Sequence, residues 1–288
     1  MWGVVLITFG SWGDEMAVEL GRYGVWALAA GWDGRGEDAA ELEELGYGAL
    51  WLGASPDGSV IGTVGALLEA TQKITVATGI LNVWTTPAGE VNDGYRALAW
   101  TDRFLVGIGA SHRSVVGEVY HSPYQKLVHY LDELDVPRDR LALAALGPRV
   151  LRLAAARTSV AHPYLVTPDY TAKARELVGA GVVLAPEQHV VLEEDPARAR
   201  ELGRQALEFY LGLPNYTRNW LRHGFTEDDL AGGGSDRLVD ALVAWGSLDR
   251  VAKRLREHHE AGADHVAVQV AGTGDTQAAY RELASALA

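Results

Sequence analysis

Two histidines stand where short apolar runs end: His112 just past FLVGIG, Phe104–Gly109, and His162 at the close of SVAH. An imidazole at such a point can move a proton or hydrogen-bond a cofactor, because it titrates near neutrality. Each serves equally well as a structural hydrogen bonder. Gly109, Ala110 and Ser111 lead into His112, and residues this small let backbone amides approach an anion and form a nest. Gly147-Pro148-Arg149 sets the free amides of a helix start beside a guanidinium, a second candidate anion site. Trp26, Trp84 and Tyr164 offer flat apolar faces to a conjugated ring, with packing at the rim of the fold as the alternative. Past the run Val182–Leu184 the chain reads Ala185-Pro186-Glu187-Gln188-His189, which places the carboxylate of Glu187 in a similar position.

Other chemistries lack their signatures. No H-E-x-x-H, facial-triad spacing or carboxylate cluster points to a metal, and no G-x-S-x-G elbow presents a serine nucleophile. Cysteine is absent, which excludes disulfides, thiolate metal sites and a cysteine nucleophile. His258 and His259 fall on a helical pattern and read as a solvated face. Asn215-Tyr216-Thr217 matches a glycosylation acceptor, but no signal segment gives the match weight.

These residues need elements that carry them to a common place. Eight runs read as strands: Tyr23–Leu28, Ala49–Leu52, Ile74–Leu81, Phe104–Gly109, Leu141–Ala145, Ser159–His162, Val182–Leu184 and His265–Val270. Amphipathic segments of helical period separate them, such as Leu202, Ala206, Phe209 and Tyr210 behind Pro196. Strands that return through helices pair in parallel. The expected fold class is α/β, a (β/α)8 TIM barrel with a helical insertion between strands seven and eight. An open doubly wound sheet is the alternative. Its nucleotide fingerprint fails here, because Gly107-Ile108-Gly109 meets His112 at the sixth position. The insertion is expected over about Leu211–Trp245. Ser235 would cap a helix with Asp236 in its first turn, and Ser247 would cap the next. It would cover one barrel mouth or pack on its side. In such barrels chemistry gathers at the carboxyl ends of the strands, where the residues above are found.

The chain has 288 residues, and 25 basic against 38 acidic side chains give a net charge of −13. That balance argues against a nucleic-acid partner, which calls for a basic stripe. No apolar run approaches the ~20 residues of a membrane span, so the expected location is the cytoplasm. Residues 1–18 read as a leader with no basic residue before Arg22. It is either an extra arm or upstream sequence ahead of Met16, and 19–288 is expected to form one domain.

The segments VATGILNVWTTPAGEV, RFLVGIGASH, LAALGPRVLRLAA, AHPYLVTPDYTAKARELV and LAPEQHVVLEEDPARAR occur in that order, followed by GFTEDDLAGGGSDRLVDALVAWG and EHHEAGADHVAVQV. Together they resemble the bacterial luciferase-like family, and within it oxidoreductases dependent on the deazaflavin coenzyme F420. The resemblance implies a barrel, usually dimeric, with the coenzyme's ring in the mouth. It implies a non-proline cis peptide at Gly79–Ile80 against that ring, with Asn82 close by. Gly109, Ala110, Ser111 and His112, with Gly147, Pro148 and Arg149, would hold the ribityl and phosphate portion. Tyr164 and Glu187 would face a small-molecule substrate, alongside Trp26 and Trp84. His112 is the first candidate for a proton or hydrogen bond at the reacting carbon, and Glu187 the second.

The sequence also departs from the family. Related sugar-phosphate dehydrogenases carry an Asp-His pair after strand two, where this chain has Gly53-Ala54-Ser55-Pro56. A sugar-phosphate substrate is therefore not expected. The stretches Arg96–Asp102 and Val136–Leu141 are short. A −13 protein repels the anionic tail of F420 at long range, so Arg113 and Arg149 would have to supply local attraction. FMN, with less tail charge, is the alternative cofactor, in a luciferase-like monooxygenase. A barrel without cofactor, serving as a binding or assembly protein, is the third reading.

Overall fold

The structure is a computed structural model that describes residues 18–53 and 60–287. The leader, apart from Val18, and the Ala54-Ser55-Pro56 segment lie outside the described residues. The first half of the chain runs β1 (Tyr23–Leu28), α1 (Gly36–Glu44), β2 (Ala49–Gly53), α2 (Val60–Ala70), β3 (Thr75–Thr78), β4 (Leu81–Asn82), α3 (Ala88–Ala97) and β5 (Phe104–Gly109). It continues through α4 (Arg113–Val116), α5 (Pro123–Glu133), β6 (Leu141–Ala144), α6 (Pro148–Arg157), β7 (Val160–His162) and α7 (Pro168–Val178). Then come β8 (Val183–Leu184), β9 (Glu187–Val191), α8 (Pro196–Leu211), α9 (Pro214–Arg222), α10 (Glu227–Leu230) and α11 (Asp236–Leu242). The chain ends with β10 (Val243–Trp245), α12 (Leu248–Glu260), β11 (Val266–Val270) and α13 (Thr276–Leu287).

Every strand pairing among the described residues is parallel. The order is β10-β9-β11-β1-β2-β3-β5-β6-β7-β8, with β4 beside β5. The sheet curls until its two ends meet on one segment. Ala185 N and Glu187 N donate to Ala161 O and Pro163 O on the β7 side. Asp264 N and Ala267 N donate to Leu184 O and Pro186 O on the β11 side.

The alternation of side chains along each strand explains both layers. One set packs together inside the curl: Trp26, Trp51, Ala77, Leu105, Ala142, Val160 and Ala267. The intervening residues, among them Val25, Leu50, Val76, Val106 and Leu143, face outward into a larger cluster shared with the helices. A parallel strand covered on both faces reads as a continuous apolar run, which is why most strands were visible in the sequence.

Three expectations are corrected. The run Ile74–Leu81 is two strands, divided at Gly79-Ile80. Glu187–Val191 is a buried strand and not a loop, hidden because Glu187, Gln188 and His189 are polar. Val243–Trp245, the end of the expected helical insertion, is a strand paired with β9, as suits a β-branched and an aromatic residue. Ser235 and Ser247 do cap α11 and α12, accepting from Leu238 N and Arg250 N.

His258 is also corrected, from solvated to wholly buried. Its Nε2 donates to Gln188 Oε1 at 3.0 Å and its Nδ1 accepts from Thr171 Oγ1 at 2.9 Å, which joins α12 to β9 and α7. Burial pushes its pKa down to about 3.

Candidate active site

The carboxyl ends of the strands form a mouth with two unlike walls. One wall is nearly bare: Gly53 ends β2, Gly79 follows β3, Gly109 ends β5 and Ala144 ends β6. The Gly79–Ile80 peptide is cis, at the position the resemblance implies. Where the bulge interrupts the ladder, Thr78 replaces it. Its Oγ1 accepts from Gly107 N and donates to Gly107 O, both at 2.8 Å. A Cβ on Gly107 would stand 1.9 Å from Thr78 O, so only glycine fits. At Gly109 a Cβ would lie 3.0 Å from both Ile80 Cγ1 and Ala144 Cβ.

The turn after β4 ties the bulge to the segment that follows β5. Asn82 is buried, and its Oδ1 accepts from Trp84 N at 3.1 Å. Trp84 Nε1 donates to Ala110 O at 2.8 Å. The Trp84 ring packs on the outer cluster beside Tyr120, so it is not brought together with Trp26 and Tyr164. Ser111 has φ 52°, a left-handed turn that swings the chain toward His112. His112 Nδ1 donates to Asn215 Oδ1 of α9 at 3.1 Å, with Tyr216 and Phe209 around the ring. Burial lowers the His112 pKa, and the Asn215 hydrogen bond opposes that.

Gly147 is the N-cap of α6 and Pro148 its first residue, as expected. Arg149 lies 3.6 Å above the Tyr124 ring. Arg222 of α9, which the sequence did not single out, approaches the same helix start. Its Nη1 is 3.9 Å from where a Cβ on Gly147 would be.

The opposite wall is aromatic and polar. Tyr164 donates to Gln269 Oε1 of β11 at 2.7 Å, which leaves Tyr210 of α8 to donate to the Tyr164 oxygen at 2.8 Å. The Tyr164 ring meets the edges of Trp26 at 5.3 Å and His189 at 5.7 Å. Burial first, and then the Glu187 charge, raises the Tyr164 pKa well above the usual phenol range. Tyr210 is pushed up to about 12, chiefly by burial. Both hydroxyls therefore keep their protons at neutral pH.

Glu187 begins β9 wholly buried. Its Oε2 accepts from Leu165 N at 3.1 Å, and its Oε1 lies 2.6 Å from His189 Nδ1. That approach lacks the alignment of a hydrogen bond. His162 is not a mouth residue. It is buried beneath, stacked on Trp51 at 4.3 Å, and its Nδ1 donates to Ala185 O at 2.6 Å. Burial lowers its pKa to about 4.

His189, Tyr210, Tyr216, Gln269, Asn215 and Arg222 are the site residues that sequence reasoning missed. Glu187-x-His189 carries the period of two that places both on one strand face, a signal available once the segment is read as a strand. Tyr210, Asn215, Tyr216 and Arg222 sit at helical positions whose direction only the packing reveals, and Gln269 lies on β11. Among the described residues, no three His, Asp or Glu side chains are placed to hold a metal ion. No described helix is long and apolar enough to cross a membrane.

No family model matches this chain and no curated protein matches its sequence. Solved structures do match. An F420-dependent secondary alcohol dehydrogenase in complex with an F420–acetone adduct aligns with a TM-score of 0.70 at 14% identity, over 93% of this chain and 99% of its own. The coenzyme F420-dependent tetrahydromethanopterin reductase from Methanopyrus kandleri gives 0.72 at 14% identity, over 93% and 98%. The oxygenating constituent of 3,6-diketocamphane monooxygenase from Pseudomonas putida, in complex with FMN, gives 0.65 at 14% identity, over 92% and 96%. At such identity the likeness is one of fold. The chain has the TIM-barrel-like fold of the bacterial luciferase-like family, which F420-dependent enzymes and luciferase-like monooxygenases share.

Proposed function

We propose that the chain is a luciferase-like oxidoreductase that transfers a hydride between coenzyme F420 and a small organic molecule. The observation that carries this reading is the unlike pair of walls. A face of small residues, Gly53, Gly79, Gly109 and Ala144, borders the Gly79–Ile80 bulge, and the facing wall holds the hydrogen-bonding side chains of Tyr164, Tyr210 and Gln269 under aromatic cover. In this reading β3 with β4, and β8 with β9, are single interrupted staves. The sheet is then an eight-staved barrel, and α8 to β10 form an insertion between staves seven and eight.

The residues present fit the cofactor. Gly79, Ile80 and Gly109 would border the ring, with Trp26 packed against Gly79 and Ile80 against Gly109, and Asn82 braces the adjoining turn. Ala110, Ser111 and His112 would hold the ribityl chain. Gly147, Pro148 and Arg149, joined by Arg222, offer helix amides and cations to the phosphate. When bound, the deazaflavin supplies the carbon that accepts or gives a hydride. His112, kept neutral by burial and held by Asn215, takes or gives the accompanying proton. Tyr164 binds and orients the substrate's polar end; Glu187, expected beside it, is wholly buried and instead fixes the Leu165 backbone behind it, and Trp26, Tyr210 and Tyr216 exclude water. The resemblance further suggests a homodimer, which sedimentation tests.

FMN is the second reading, favoured by the −13 charge, which penalises the longer anionic tail of F420. The neighbour solved with FMN shows that the fold accommodates it. Titration of the purified protein with F420 and with FMN, followed by cofactor fluorescence, separates the readings. Saturable quenching of F420 supports the first, and quenching of FMN alone the second. Binding of neither at high micromolar concentration overturns both and leaves a barrel that binds or assembles without cofactor.

A further inference from the structure

Trp26 poses a problem that the fold alone does not solve. It projects inward from β1 and is 6% exposed. Its Nε1 is buried and has no hydrogen-bond acceptor. A buried donor without a partner is uncommon and destabilising. The other large indole of the interior is satisfied, since Trp51 Nε1 donates to His265 Nε2 at 3.1 Å.

The Trp26 ring has little freedom to find an acceptor. Its Cη2 lies 2.6 Å from where a Cβ on Gly53 would stand, and Tyr164 meets its edge at 5.3 Å. It occupies space that two glycines leave, and its N–H faces one of them. Nε1 is 2.8 Å from where a Cβ on Gly79 would be, beside the cis bulge. The unpartnered donor therefore lies against Gly79, at the edge of the bare wall.

We infer that Trp26 donates its indole N–H to an acceptor atom on the edge of the ring bound against the Gly79–Ile80 bulge, which rests on the cofactor reading above. Shape alone would admit any flat ring of the right width. The indole adds a chemical condition, because a ring that presents only C–H there leaves the donor unpaired. Flavins and 5-deazaflavins differ at this level. A flavin offers both N5 and the C4 carbonyl as acceptors, whereas a 5-deazaflavin keeps the carbonyl and has C–H at position 5.

Selective 15N labelling of tryptophan in the full chain gives one indole resonance for each of nine residues. Trp26→Phe identifies the resonance of Trp26, and a nuclear Overhauser contact to the Gly79 α-protons identifies it without any variant. The expected result is that saturation with FMN moves the Trp26 indole proton downfield more than any other indole proton. The same titration with 5-deaza-FMN assigns the acceptor, N5 if the proton stays in place and the carbonyl if it moves again. Trp26→Phe is expected to weaken FMN binding about tenfold, the equivalent of one hydrogen bond. A Trp26 resonance unmoved by both rings, while fluorescence reports saturation, overturns the inference and leaves the cofactor reading standing. If only F420 binds, the same titration with F420 decides, and a Trp26 proton that does not move overturns the inference; binding of none of FMN, 5-deaza-FMN and F420 overturns the cofactor reading and the inference with it.

Discussion

His112 and Glu187 both carry a proton-handling group, but their surroundings divide the work. His112 stays partly open to the mouth and is anchored by a single bond to Asn215, so it can reach a substrate. His112→Ala is expected to lower turnover about 100-fold, the low end for loss of a general acid or base, while cofactor affinity changes less than threefold. Unchanged turnover would remove His112 from that role. Glu187 has no exposed surface, and its carboxylate also holds the Leu165 backbone amide. Replacing it by an apolar residue strands that amide and removes the carboxylate beside His189 Nδ1. Glu187→Leu is therefore expected to cost about 2 kcal/mol of stability, and Glu187→Gln, which keeps an acceptor, much less. Urea denaturation of the two variants decides this, and equal midpoints would show that the carboxylate does no structural work.

At the scale of elements, the bulge between β3 and β4 is held by a close approach of backbones. Gly107→Ala would drive a methyl into Thr78 O, which stands 1.9 Å from the Cβ position. The backbone must shift, and overpacking of this kind costs about 1–3 kcal/mol or more. The expected outcome is a lower melting temperature together with weaker cofactor binding, since β5 carries Gly109 on the same wall. A variant as stable as the parent would show that the bulge yields easily. The sequence displayed β1 and β5 to the residue, because both are apolar on two faces. It concealed β9, whose inward side chains are polar, and β10, whose three residues continue a helical pattern. The glycine wall was legible as small residues at strand ends. The aromatic wall was not, because Tyr210 and Tyr216 come from α8 and α9, and nothing local says that those helices turn them toward Tyr164.

For the whole molecule, net charge and buried histidines pull stability in opposite directions as pH falls. Protonation relieves the repulsion of a −13 chain as the pI near 5.1 is approached, a diffuse effect weakened by salt. Three buried histidines oppose it. His258 and His265 have pKa values lowered to about 3, and His162 to about 4, each chiefly by burial. All three are neutral in the fold and bonded as such. His265 Nδ1 donates to Gly21 O, and its Nε2 accepts from Trp51. Unfolded, each titrates near 6.5. Below that value the unfolded chain binds protons that the folded chain refuses, so stability is full above pH 6.5 and is lost as pH falls toward the folded values. By pH 5.5 each histidine removes about 1.4 kcal/mol, and the three together about 4 kcal/mol. That is a large share of the ~5–15 kcal/mol that holds a domain folded. The carboxylates held below their ordinary values, Glu41, Glu43, Asp229 and Asp240, act only at lower pH. The histidine loss therefore exceeds the screened relief of charge. Urea midpoints in 0.15 M salt (about physiological ionic strength) are expected to be level from pH 8 to 7 and to fall steeply from 6.5 to 5.5. In His258→Gln the fall should shrink by about one third. Midpoints that hold or rise toward pH 5.5 would mean that the interior opens to protons without unfolding.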